Sequence, residues 1–593
     1  MRLSLRGRLA CFAGGCIAVF ALALLLGSGG FDLALIAALR MPRVLAAAGV
    51  GALLGLSGLA MQALLRNPLA DPYVLGTSGG ASVGALVALL AGAGLWLGAG
   101  VGALVAAGLL LVLARAALLS NDDASPRLIL IGAMLAAVAG ACATLLLTVV
   151  PDSRLRGAIF WLVGDLSGAA GGAWCLLVAL LLVVYFFWRD RRIDRLLLGG
   201  EAAWLMGEPV ERLRAELLLV ASAAAGLAVA TAGSIGFVGL VVPQVLRLAG
   251  VVRPRVLAAC SALGGAALLV LADLVSRIVW SPLELPVGAI MALIGAPLFI
   301  VFLRRGGDLA LTPAGRGLDA APTVVVASDG SPWVVPSLKA DADRAASSPL
   351  IEARGLNVHA GGRSLVSDLS WVAGAGECWA VIGRNGVGKT RLLRALAGLD
   401  EGSISALRWQ GKDVRRWPAH EAAAVRAFMP QQVQDRFSMT VGRLLELSSS
   451  APCVEARALA RELGIDDLLG QDVLTLSGGQ RQRVAMAQCL VQHASLLLLD
   501  EPVSFQDPAR QWALGRLLRQ VAFVERRAIV LTAHDLNWVA SVATHALALL
   551  PDGRVLAGPV ADIIEPAVLE QVYACPWMRA GDWVMPAPGL SRK

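Results

Sequence analysis

Cys378-Trp-Ala-Val-Ile-Gly-Arg-Asn-Gly-Val-Gly-Lys-Thr390 decides how the second half of this chain folds. Five apolar residues read as a buried strand. Gly383, Arg384, Asn385, Gly386, Val387, Gly388, Lys389 and Thr390 then spell GxxxxGK[ST], and Leu392-Leu-Arg-Ala-Leu-Ala397 continues as a helix. Strand, glycine-rich loop and helix form the context this phosphate-binding loop needs. The glycines let backbone amides converge on phosphate oxygens at a helix N-terminus. Lys389 is placed to neutralise β- and γ-phosphate charge, and the Thr390 hydroxyl to reach Mg2+.

The loop follows an N-terminal region of roughly 300 residues that is nearly all apolar, the composition of a chain that crosses a bilayer. Across 593 residues, 57% are hydrophobic and the net charge is +8, with a mean hydropathy of +0.70. Arginine carries the charge; the lysines are only Lys339, Lys389, Lys412 and Lys593. No basic run is interleaved with aromatics, so the balance points to a membrane face and not to nucleic acid. The nine cysteines include no CxxC pair, which excludes a disulfide framework or a cysteine metal site. All five histidines lie beyond residue 350, so the apolar half offers no imidazole to a metal in transit. Arg2, Arg6 and Arg8 precede the first apolar run, but no A-x-A cleavage site follows. The run reads as an uncleaved first span and not as a signal peptide.

Apolar segments fall at about 9–26, 43–65, 76–91, 93–119, 127–150, 172–188, 214–232, 235–250, 255–279 and 285–303. Ten spans put both ends on one side, and the arginines near each end make that side cytoplasmic. The arginine-rich loop 189–213 then falls inside by count and by charge alike. Residues 233–250, with Gly233, Gly236, Gly239 and Pro243, read as a broken segment that neighbouring protein must cover. Residues 306–350 are a Gly/Pro/Ala/Ser-rich linker. The expectation is an all-α polytopic membrane domain of about ten transmembrane helices over 1–305. The linker follows, and then an α/β P-loop ATPase domain over 351–593.

Two further motifs belong to that second domain. Leu496-Leu-Leu-Leu-Asp-Glu501 is a buried strand ending in two carboxylates. Asp500 is placed to hold Mg2+ through water, and Glu501 to act as general base toward the attacking water. Leu476-Ser-Gly-Gly-Gln480 opens a helix, where Ser477 and the amides of Gly478 and Gly479 make an anion site. With Gln480, this pentapeptide resembles the signature of the ATP-binding-cassette family, a likeness that covers about 351–575. The resemblance implies that the signature caps an ATP γ-phosphate held by the opposite subunit. It also carries over individual positions. Gln431 matches the glutamine that senses the γ-phosphate beside Mg2+. Asp507 matches the loop crossing the dimer contact, and His534 the histidine that hydrogen-bonds the γ-phosphate. One departure is Ala360, beside His359, where the family often has an aromatic that stacks on adenine.

The apolar half carries its own likeness. Arg66-Asn-Pro-Leu-Ala-Asp-Pro72, Gly236-Phe-Val-Gly-Leu-Val-Val-Pro243, Ala272-Asp-Leu-Val-Ser-Arg277 and Glu284-Leu-Pro-Val-Gly288 resemble the permeases that import iron chelates and cobalamin. Gln244 stands where that family often has histidine. The resemblance implies ATP-driven import of a ferric siderophore, haem or cobalamin across a bacterial inner membrane, with the cassette in the cytoplasm. It also implies delivery by a periplasmic substrate-binding protein. Because such transporters need two permeases and two cassettes, this fusion implies a homodimer. Gly200, Glu201, Ala202, Ala203, Trp204, Leu205, Met206 and Gly207 match the coupling loop. Arg40, Arg43 and Arg277 fall on the outer side, against the positive-inside bias, and match binding-protein docking positions; interfacial snorkelling is the other reading. A fused exporter and a membrane-tethered regulatory ATPase without cargo are the rival functions. The number of short-looped spans disfavours the first and the glycine-rich bundle the second.

Overall fold

The computed structural model describes residues 5–26, 33–113, 125–168, 171–280, 283–310, 349–361, 363–400, 407–432, 437–449 and 453–587. Most of the expected linker (311–348), the 114–119 end of one apolar segment and Gly362 lie outside the described residues. The chain divides into two compact units. One comprises Met1–Trp204, Glu208–Leu311 and Arg436–Ser438; the other comprises Leu205–Gly207, Thr312–Asp435 and Met439–Lys593.

The first unit is built from helices. Each expected apolar segment coincides with one, but the helix lengths do not confirm the count of ten spans. Among the described residues, six helices are long and apolar enough to cross a membrane: Gly7–Leu25, Ile36–Leu64, Leu95–Leu113, Pro126–Leu147, Val210–Ala232 and Pro254–Ile278. There are seven if Gly172–Trp188 and Asp190–Leu198, bent by 68° at their junction, form one span. Thr77–Leu90, Val238–Leu248 and Val287–Val301 are shorter. Length is the reason, since the 11 residues of Val238–Leu248 rise only about 17 Å against a hydrocarbon core of about 30 Å. A further helix, Asp152–Val163, is hidden from a hydropathy reading by Asp152, Arg154 and Arg156.

Helix Met41–Leu64 is the axis of this unit and is buried along nearly all its length. Its glycines let neighbouring backbones touch. A Cβ on Gly51 would stand 2.2 Å from the Gly265 carbonyl oxygen, and one on Gly58 would stand 2.0 Å from that of Gly239. Close backbone approach is what holds helices together where no hydrophobic difference separates protein from lipid. The break expected within 233–250 is present: Phe237 has φ +71° and precedes Val238–Leu248. Pro243 inside that helix cannot donate to the carbonyl four residues back. The buried Gln62 side chain donates to that Gly239 carbonyl instead, at 3.2 Å, and accepts from Arg247.

The second unit has the expected α/β build. A six-stranded sheet runs Val555–Pro559, His545–Leu549, Cys378–Ile382, Ala528–Thr532, Leu496–Leu499, Arg426–Met429. All neighbours are parallel except the Val555–Pro559 edge. Cys378–Ile382, Leu496–Leu499 and Ala528–Thr532 are wholly buried, as continuous apolar runs between helical layers must be. A four-stranded antiparallel sheet, built on Ile351–Ala360 paired with Arg363–Ala373, stands apart. The parallel register pairs Met429 with Leu499 and Leu499 with Leu531. The C-terminal ends of these strands therefore reach one edge of the sheet together, the edge where open α/β sheets bind ligands.

Candidate functional site

Five parallel strands end at that edge, and two of the loops that follow them carry the phosphate loop and the acidic pair. The first is Gly383–Gly388, whose Gly383, Gly386 and Gly388 have φ of +151°, +78° and +115°. Side chains with a Cβ rarely adopt such angles, so glycine is needed here. Lys389 opens helix Lys389–Leu396, and its buried Nζ donates back to the carbonyls of Gly383 (2.8 Å) and Arg384 (3.1 Å). Burial pushes the Lys389 pKa down, while the nearby Glu501 and Asp500 carboxylates oppose that shift. A cation is thereby held within the loop by two carbonyls, ready to turn toward an incoming phosphate.

The second loop carries the acidic pair. Asp500 is almost fully buried. Burial raises its carboxyl pKa, and the Thr532 and Thr390 hydroxyls partly offset this. Thr532 Oγ1 donates to Asp500 Oδ1 at 2.6 Å and accepts from the Glu501 amide at 2.8 Å, so one hydroxyl links both acids. Asp500 Oδ2 is buried without a hydrogen-bond partner. That orphaned acceptor suits a hard cation that takes oxygen ligands and keeps several waters. Among the described residues no set of three or more His, Cys, Asp or Glu could hold a metal ion alone.

Glu501 has φ +49°, a left-handed backbone that costs a non-glycine residue about 1–3 kcal/mol. The Thr532 hydroxyl holds its amide, and Gln482 Nε2 donates to its carbonyl at 2.7 Å. The strained turn swings the side chain out of the strand. Its Oε1 is hydrogen-bonded to His534 Nε2 at 2.9 Å, and its Oε2 accepts from Ser504 Oγ at 2.9 Å. Burial raises the Glu501 pKa, but hydrogen bonds from His534, Ser504 and Gln431 outweigh it and leave the carboxyl below its ordinary value. The sequence-predicted Glu501, His534 and Gln431 therefore meet at one carboxylate. Thr532, Ser504 and Gln482 were not among the expected site residues. Ser504, three residues past Glu501, was the most legible of them.

The signature lies elsewhere in the same unit. Ser477 caps helix Gly478–Val491 in a reciprocal capping box with Gln480: Ser477 Oγ accepts from the Gln480 amide, and Gln480 Oε1 accepts from the Ser477 amide. Gly478 and Gly479 form its first turn, where the helix favours negative charge. A Cβ on Gly479 would stand 2.8 Å from the Phe505 carbonyl oxygen, so the signature turn and the 504–507 loop pack without a side chain between them. Asp507 caps helix Pro508–Phe523 and pairs with Arg510. At the expected adenine position His359 is exposed at the end of strand Ile351–Ala360, which offers no aromatic face beyond that imidazole.

The remaining expected residues lie outside this site. Gly200–Leu205 is a short helix, and Leu205, Met206 and Gly207 group with the second unit. There the Leu205 carbonyl accepts from Gln492 and Arg426, and the Ser448 hydroxyl approaches Met206 Sδ. Arg40, Arg43 and Arg277 are engaged inside the first unit. Arg40 is buried and donates to the Leu24 and Leu25 carbonyls that end the first helix. Arg43 Nε meets Asp273 Oδ1 at 2.8 Å while its NH1 meets Glu284. Arg277 Nε stands 3.0 Å from Asp273 Oδ2, and its NH2 donates to the Ala23 carbonyl. These bonds give the arginines an internal reason to be where they are.

Comparison with known proteins agrees with both halves. Residues 10–305 match the FecCD transport family, and residues 366–504 match the ABC transporter family. The vitamin B12 import system permease protein BtuC of Escherichia coli (strain K12) is 38% identical over 276 residues, spanning 45% of this chain and 83% of that protein. BtuC of Escherichia coli O6:K15:H31 matches equally. A solved structure described as an inward-facing metal-chelate type ABC transporter is 28% identical, covering 50% of this chain and 98% of that one with a TM-score of 0.46. CbiO1 of Clostridium perfringens, part of the complex cbiONQ, is 23% identical over 37% of this chain and 93% of its own, with a TM-score of 0.33.

Proposed function

This chain belongs to the FecCD transport family and carries an ABC transporter ATPase on the same polypeptide, and from that membership we propose that it imports a metal chelate across the bacterial inner membrane. The chelate is a ferric siderophore, haem or cobalamin, delivered by a periplasmic binding protein. The protein works as a homodimer with cytoplasmic cassettes, each chain supplying one permease and one ATPase, with the boundaries 1–305 and 351–593. The carrying observation is the presence of a FecCD match and an assembled acid–histidine site on one chain.

Within each cassette the 383–390 loop grips the phosphates through its amides and Lys389. Thr390 and Asp500, with Gln431 nearby, are the residues that would hold Mg2+, and the ion would supply positive charge against the nucleotide phosphates. Glu501 takes the proton of the attacking water. Its lowered pKa keeps it ionised at neutral pH, and His534 and Ser504 fix its two oxygens. Ser477, Gly478, Gly479 and Gln480 of the second copy close the site over the γ-phosphate, with Asp507 at the contact. Closure and release reach the membrane half through the 200–207 loop.

Purified full-length protein in lipid nanodiscs tests this reading. Its mass should equal two chains, and its ATP turnover should rise when chelate-loaded binding protein is added. A monomer that turns over ATP at full rate and ignores every loaded binding protein refutes it. Arg40, Arg43 and Arg277 remain the proposed docking positions, but their internal bonds require that stability be measured beside stimulation in any charge-reversal variant.

A further inference from the structure

Helices Cys453–Glu462, Gly478–Val491 and Pro508–Phe523 line an open cavity of about 540 Å³ within the ATPase unit. It is separate from the phosphate loop, and none of residues 383–390 lines it. Arg461, Arg483, Arg510 and Arg516 do, against Glu462 as the acidic lining residue. Arg483 Nε is buried without a hydrogen-bond partner. Arg510 is held by Asp507 at 3.1 Å, whereas Arg461, Arg483 and Arg516 have no ion-pair partner among the described residues. Burial and the Arg510 charge push the Arg483 pKa below its ordinary value, with Asp467 and Asp507 pulling the other way. Several guanidiniums thus share one concavity with little acidic compensation. The volume is that of a small-molecule pocket, and guanidinium forks match phosphate and carboxylate oxygens.

The walls also reach the site of hydrolysis. Gln482 lines the cavity and donates to the carbonyl of the strained Glu501 at 2.7 Å. Gln506 lines it and donates to the Gly479 carbonyl in the signature turn at 2.9 Å. We propose that this cavity is a regulatory site for a small polyanion carrying two or more phosphate or carboxylate groups. A ligand there bridges the signature helix and helix Pro508–Phe523, and so sets how the Gln482 and Gln506 bonds hold Glu501 and Gly479.

The test uses full-length protein. In the Glu501→Gln variant saturated with MgATP, the nucleotide loops are filled, so added anions must bind elsewhere. Calorimetric titration with tripolyphosphate, at constant free Mg2+ and constant ionic strength, should show one saturable site per chain. A citrate titration separates a carboxylate ligand from a phosphate ligand. The double variant Arg461→Gln/Arg516→Gln changes two exposed side chains and should weaken binding at least tenfold. The control Arg408→Gln/Arg554→Gln removes the same charge away from the cavity and should stay within twofold of the parent. With Glu501 intact and ATP far above its KM, the bound probe should change turnover at least twofold, and the cavity variant should lose that response while keeping its basal rate. Absence of saturable binding by either probe, equal weakening by the control pair, or an unchanged response in the cavity variant overturns the proposal.

Discussion

Asp273→Ala should destabilise the first unit more than any loss of packing would suggest. Asp273 is 0% exposed and lies between Arg43 Nε (2.8 Å) and Arg277 Nε (3.0 Å), whose side chains are only 13% and 10% exposed. Removing one partner of a buried ion pair costs about 3–5 kcal/mol, because the remaining charge is left desolvated. Two terms reduce that here. Arg43 keeps Glu284, which is 48% exposed and so screened by water, and Arg277 keeps the Ala23 carbonyl. The expected loss is therefore near the lower end, about 3 kcal/mol. For a unit of this size a kilocalorie shifts the midpoint by about 2 °C, so the fall should be roughly 6 °C. The assay is thermal unfolding of the detergent-solubilised protein, followed by fluorescence at fixed lipid and salt. Asp273→Asn, which keeps the volume and one acceptor for Arg43, should fall between wild type and alanine. An alanine variant with an unchanged midpoint would refute the view that these arginines are held from within.

Glu501→Gln should leave ATP binding intact and slow hydrolysis by about 10²–10⁴-fold, roughly 3–5 kcal/mol of barrier; a steady-state rate within tenfold of wild type would remove Glu501 from the base role. Because the folded pKa of Glu501 lies below its ordinary 4.5, the carboxylate is ionised above that pH. Any acid limb or stability loss due to Glu501 appears only as pH falls through the depressed value, and a pH–rate profile checks this. Gln62→Leu strips the Gly239 carbonyl and Arg247 of a buried partner and should cost about 2 kcal/mol or more, read by the same thermal assay. In purified mixed dimers, Lys389→Ala in one chain with Ser477→Arg in the other should retain one competent ATP site, whereas both changes in the same chain should retain none.

The chemistry of the cassette was legible because its motifs are local. The phosphate loop, the Asp500–Glu501 strand end and the signature each need only a few consecutive residues in the right setting, and the parallel register then gathers them. What joins them was less visible. Thr532 ties the two acids together from 31 and 32 residues away, and nothing beside it in sequence announces that. In the membrane half, hydropathy located the helices but did not settle how many cross, because apolar character does not measure length. Gln62 answering Pro243 is a contact across 177 residues, from Gln62 to Gly239, and sequence spacing carries no trace of it. Arg43 and Arg277 stood out as charges on the wrong side, while the Asp273 between them passed as an ordinary residue of a helix.

As an importer, one polypeptide must both hydrolyse ATP and move a chelate inward. Proteoliposomes containing only this chain, with external MgATP marking the cassette-out orientation and cargo-loaded binding protein sealed inside, test it most directly. Radiolabelled cobalamin and ferric siderophores, each with its cognate binding protein, should be tried in turn. The expected result is ATP-dependent release of one of these from the lumen to the cassette side, requiring the binding protein and stopping with Glu501→Gln. ATP hydrolysis with no movement of any chelate, or movement only from the cassette side into the lumen, would contradict it.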